Sequence, residues 1–127
     1  MTKKLTLSIQ SVVLGICRLD PSTPIPAWAL NNEFFSITKT GEELSVVCPE
    51  QIIPSGIKSE KGWRAIKIEG PINFTATGIL SSLLQPLADK GISIFTVSTF
   101  DTDYVLVKKE NLENAISILK RNNQINF

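Results

Sequence analysis

"GPINFTATGILSSLLQPLADKGISIFTVSTFDTDYVLV", Gly70 to Val107, changes its hydrophobic period once, and the fold turns on that change. Ile79, Leu80, Leu83, Leu84 and Leu87 recur close to helical spacing, which predicts a helix with one buried stripe. Gly91 supplies its C-terminal stop. Pro86 has no N–H to donate, so a kink or an early last turn is expected there. "ISIFTVST" and "DYVLV" then read as strands. Phe100, Asp101, Thr102 and Asp103 separate them, without the Asn-Gly or Asp-Gly of common hairpins.

Working outward, "WRAIKIE" before this stretch reads as a strand. Leu112, Ala115, Ile116 and Leu119 after it mark a second amphipathic helix, and "QINF" closes with a short alternating strand. The order is β-α-β-β-α-β, the ferredoxin-like split βαβ pattern of the α+β class.

The first half is a cut-down version of the same theme. Leu5, Leu7 and Ile9 alternate with polar residues as one strand, and "VVLGICRLD" reads as a second. "PSTPIPAWALNNE" leaves room for one or two helical turns from Pro26 to Leu30. "FFSITKT" and "LSVVCP" form a hairpin around Gly41-Glu42-Glu43. "PEQIIPSG" holds a short helical turn, and "KSEKG" reads as a polar surface linker.

Shifted by 60 residues, 34–51 lies over 94–111 without a gap, with Phe35 on Phe95, Val47 on Val107 and Glu43 on Asp103. "CRLDP" matches "IKIEGP" at a shift near 49, with Asp20 on Glu69. The difference falls where the first copy's helix should be. The expectation is an internal duplication with a reduced module at 1–62 and a complete one at 63–127.

Composition narrows the function. The chain has 127 residues, 43% of them apolar and 20% charged, with a net charge of +1. That balance gives no electrostatic argument for nucleic acid or an anionic membrane. No stretch approaches the ~20 apolar residues of a membrane span. The N-terminal apolar run is broken by Thr6, Ser8 and Gln10, unlike a signal peptide, so a cytoplasmic protein is expected. Cys17 and Cys48 are expected as buried free thiols. With no histidine, no Walker loop and no G-x-G-x-x-G, histidine-based catalysis and common nucleotide motifs are excluded. A non-enzymatic role is expected, with no cofactor and no metal.

The stretch from Glu69 to Val107 resembles the ACT domain, a small ligand-binding βαββαβ module. "GIL" enters the helix, "PLADKGIS" leaves it and "STFDTDYVLV" closes the hairpin. With the reduced first half, the chain is similar to the tandem ACT arrangement of aspartokinase regulatory domains and of a cytosolic arginine sensor. The resemblance implies antiparallel sheets with helices on one face. It also implies a regulatory or sensor role, an amino acid or similar small zwitterion as ligand, and homodimers formed by sheet and helix pairing.

Carried onto this chain, the ligand site would comprise Asn73, Ala76, Thr77, Gly78 and Ile79 on the loop side. Thr99, Phe100, Thr102 and Asp103 would form the strand side. Two departures from the pattern stand out. Gly70 precedes Pro71 where proline then glycine is usual, and Ala76 replaces an acidic residue. These favour the competing expectation, a ligand-free oligomerisation or interaction module.

The chemistry is coherent from below. Unpaired N–H groups at a helix N-terminus favour a carboxylate, and a nearby Asp103 would meet an ammonium. Asp101 reads as a solvated turn residue.

Overall fold

The computed structural model describes residues 4–70 and 77–127. The chain folds as two compact units, one joining the stretch up to Ser11 with Arg64–Phe127, the other formed by Val12–Trp63. The strands are β1 (Thr6–Leu19), β2 (Ser36–Lys39), β3 (Leu44–Pro49), β4 (Lys58–Ile68), β5 (Ile94–Ser98), β6 (Asp103–Lys108) and β7 (Gln124–Asn126). The helices are α1 (Ile79–Asp89) and α2 (Leu112–Leu119), with short 3-10 turns at Ala27–Ala29, Glu50–Ile52 and Lys109–Asn111.

The first unit carries the expected order β4-α1-β5-β6-α2-β7. Its core joins Ile66 and Ile68 of β4, Val105 and Val107 of β6, Leu83 and Leu87 of α1, and Leu112, Ala115 and Leu119 of α2. Both helices therefore cover the same face of the sheet. Burying each such aliphatic side chain contributes about 1.5–3 kcal/mol. β4 lies between β1 and β6, and β5 closes the order as the last strand. β7 pairs in parallel with β1, Thr6 opposite Gln124 and Ser8 opposite Asn126, so the N-terminal strand separates β7 from β4.

α1 passes through Pro86 and ends at Asp89, where the sequence predicted a kink or early stop. Its end is closed by Gly91 at φ 71°. Ile92 N–H donates to Leu87 O at 3.1 Å and Gly91 N–H to Ala88 O at 2.9 Å, a Schellman motif. Ile92 and Leu87 also share the core, which adds the apolar contact usual to that motif.

In the second unit β3 pairs antiparallel with β1 and with β2. Cys17, Ala29, Leu44, Val46, Cys48 and Ile53 form its core. Cys17 and Cys48 are free thiols. The Ala27–Ala29 turn lies between β1 and β2.

Three sequence readings need correction. The two expected N-terminal strands are one strand of 14 residues, because polar Ser8, Gln10 and Ser11 pair instead of turning. "KSEKG" is not a linker but the first half of β4.

The third correction is the duplication register. Lys39 pairs with Leu44 and Ser98 with Asp103, so the two hairpins superpose at a shift of 59, not 60. At 59, the core residues Val46 and Cys48 meet the core residues Val105 and Val107. At 60, Val107 meets Val47, which points to the opposite face, since a one-residue slip inverts every side chain.

Candidate functional site

The glycine-free hairpin is closed by threonine. Thr99 N–H donates to Thr102 O at 2.8 Å, Thr102 N–H to Thr99 Oγ1 at 3.2 Å, and Thr99 Oγ1 to Thr102 O at 3.0 Å. The same device closes the other hairpin: Thr40 N–H donates to Glu43 O at 2.9 Å and Glu43 N–H to Thr40 Oγ1 at 3.2 Å. A hydroxyl that takes up main-chain groups locally replaces the Asn-Gly solution. The second hairpin is also anchored. Thr102, only 6% exposed, donates its Oγ1–H to the carbonyl of Ile68 at the end of β4.

That anchor fixes the polarity of the unit. The C-terminal end of β4 and the β5–β6 turn lie together. Gly78 precedes α1 at φ 76°, a left-handed conformation that favours glycine. A Cβ there would meet nothing within 4 Å, so the glycine serves the backbone rather than close packing. Gly78 O accepts the first helical bond from Ser82 N–H at 3.0 Å. Thr77 is exposed and Ile79 half-buried. Asn73 and Ala76 lie outside the described residues.

Asp103 sits opposite Ser98, whose hydroxyl donates to Asp103 Oδ1. By strand alternation Asp103 shares the helix-covered face with Val105 and Val107. Phe100, at the tip, is 79% exposed.

A feature that the sequence reading missed lies across the sheet. Lys67, Glu69, Gly70, Asp101 and Thr102 line an open cleft of about 210 Å³. Lys67 and Glu69 alternate with the core residues Ile66 and Ile68, so they point away from the helices. Lys67 Nζ lies 3.4 Å from Glu69 Oε1. The strict Ile-Lys-Ile-Glu alternation was the available signal. Asp101 gave none, since aspartate is ordinary in turns.

No group of three or more His, Cys, Asp or Glu among the described residues is arranged to hold a metal ion. No helix among them is long and apolar enough to cross a membrane.

Residues 58–121, from the start of β4 to just beyond α2, match the family model of the ACT domain. The chain belongs to the ACT-domain family. A second model, described as an N-terminal domain, matches residues 13–56 of this ACT protein. A protein of Agrobacterium tumefaciens with a known crystal structure is 41% identical, with a TM-score of 0.92 over 98% of this chain and 93% of that one. The rat protein named cytosolic arginine sensor for mTORC1 subunit 1 is 32% identical over 103 residues, 79% of this chain and 30% of the sensor. The ligand-free regulatory subunit of aspartate kinase from Thermus thermophilus shares the fold, with a TM-score of 0.63 at 13% identity over 91% of this chain and 95% of that one. The ACT chain spans less than two thirds of the length of the first curated relatives it matches.

Proposed function

We propose that this ACT protein is a non-catalytic regulatory module that binds an amino acid in the cytoplasm and passes the change to a partner. The observation that carries this reading is ACT membership together with similarity to a protein named as an arginine sensor. In this proposal the α1 N-terminus at Thr77–Ile79 faces the Thr99–Asp103 turn, whose tip is tied to the end of β4, the strand that precedes α1. There, N–H groups suit a carboxylate and Asp103 suits an ammonium. Asn73 and Ala76 complete the proposed loop side, Phe100 and Thr102 the strand side. The reduced module at 1–62 and the complete one at 63–127 belong to the same proposal. So does a homodimer, for which the last strand β5, paired only with β6 among the described strands, offers an open edge.

One observation favours a second reading, a ligand-free pairing module: Asp103 Oδ1 already accepts the Ser98 hydroxyl. Thermal unfolding with each of the twenty amino acids separates the two. A ligand at 100 times its Kd adds about 2.7 kcal/mol, several degrees for a domain of this size. The sensor reading expects one amino acid to raise the midpoint. No shift with any of them refutes it.

A further inference from the structure

The cleft on the helix-free face is distinct from the helix-and-hairpin site, because Lys67 and Glu69 point away from the face that carries Asp103. Its walls carry three formal charges in a small space: Lys67 on one side, Glu69 beside it at 3.4 Å, and Asp101 from the hairpin tip. Gly70 contributes main chain alone.

Two features set this cleft apart from a solvated charge cluster. Among the described residues Asp101 has no hydrogen bond or ion pair. The Lys67–Glu69 pair is about one-third exposed, 33% and 38%, the kind of contact that contributes little and yields readily to a competing partner. The tip itself is held in place, since the buried Thr102 ties it to Ile68 O. The volume, about 210 Å³, lies below the ~300 Å³ where pockets for larger organic ligands begin. A cleft this small, with one cation and two carboxylates on fixed main chain, matches a compact molecule bearing both charges.

We propose that this cleft is a second binding site that takes the paired charges of a small zwitterion, Lys67 meeting its carboxylate and Glu69 and Asp101 its ammonium. The ligand replaces one internal ion pair by three intermolecular charge contacts. The amino-acid class overlaps with that of the helix-and-hairpin site, but neither site depends on the other.

The test is calorimetric titration of the twenty amino acids into the wild-type chain and into Asp103→Ala, Lys67→Gln, Asp101→Asn and the exchange Lys67→Glu with Glu69→Lys. All four changes lie on exposed or half-exposed side chains, and unfolding midpoints without ligand verify that each variant folds. The proposal expects binding that survives Asp103→Ala and weakens about tenfold or more in Lys67→Gln and in Asp101→Asn. The exchange variant keeps an internal ion pair and inverts the charges offered to the ligand. It therefore loses binding too, which a purely structural pair would not. Loss of the carboxylate or of the ammonium, tested with the carboxamide and des-amino analogues of the bound amino acid, weakens binding equally.

Binding that disappears in Asp103→Ala and is untouched by the Lys67 and Asp101 changes overturns the second site and leaves the helix-and-hairpin reading standing. Binding lost only in the Lys67 and Asp101 variants supports the cleft and removes Asp103 from the proposed function. A wild-type chain that binds none of the twenty overturns both.

Discussion

Replacing Thr102 by valine isolates one hydrogen bond at the centre of this architecture. Thr102 is 6% exposed, and its hydroxyl donates to Ile68 O across the β4–β6 boundary. Valine keeps the volume and removes the donor. A buried carbonyl deprived of its partner costs about 1–3 kcal/mol. At roughly 3–5 °C per kcal/mol for a chain of this length, a loss near 2 kcal/mol lowers the midpoint by roughly 6–10 °C. Serine keeps the donor and removes one methyl group, about 1 kcal/mol. The turn itself is spared in both variants, because its bonds use Thr102 main-chain atoms and the Thr99 hydroxyl. Thermal and urea unfolding of the wild type, Thr102→Val and Thr102→Ser therefore yield the order wild type, serine, valine. If valine matches the wild type while serine is the less stable, burial of the methyl group holds the tip and the hydroxyl does not.

Two further outcomes follow from backbone strain and burial. Gly78→Ala is expected to lower stability by about 1 kcal/mol, because φ of 76° penalises a Cβ that meets no neighbour, and Gly78→Asn by less. Equal midpoints for alanine and glycine in thermal unfolding would contradict this. Burial, with the neighbouring Cys17 thiol adding to it, pushes the Cys48 thiol from 9.0 up to about 12. The folded chain then holds this proton more tightly than the unfolded chain. The stabilisation is complete below pH 9.0 and is lost as pH rises towards 12. Urea midpoints across that window fall in the wild type and fall less in Cys48→Ala, and a parallel decline in the two would refute it.

The complete module was legible because its periods are clean. Leu80, Leu83, Leu84 and Leu87 repeat as a helix, and Gly91 ends it at positive φ. Polar strand segments were not legible. Ser8, Gln10 and Ser11 in β1, and Lys58, Glu60 and Lys61 in β4, have weak strand preference, and pairing overrides it. The two hairpins were matched one residue out of register, since matching Phe35 to Phe95 and Val47 to Val107 follows identity and ignores which face each residue occupies. The threonines at positions 40 and 99, both closing their turns by hydroxyl bonds, fix the true offset of 59. The cleft was missed for a related reason: Lys67 and Glu69 read as the solvent side of a strand, which they are, until the hairpin tip brings Asp101 beside them.

The two strand ends differ in what their charged residues bind. At the shift of 49, Arg18 corresponds to Lys67, Leu19 to Ile68 and Asp20 to Glu69. In the reduced copy both charged residues are occupied locally. Arg18 Nη2 donates to Glu42 O at 2.9 Å, tying the first hairpin tip to β1. Asp20 Oδ1 accepts from the Ser22 hydroxyl at 2.6 Å and the Ser22 N–H at 2.9 Å, which hold its carboxyl below the usual range. At the other strand end the hairpin tip is anchored by Thr102 through Ile68 O. Lys67 and Glu69 form their ion pair in the cleft that Asp101 also lines. Because the buried Thr102 hydroxyl holds the tip that carries Asp101, Thr102→Val should weaken zwitterion binding at the proposed cleft site along with the fold.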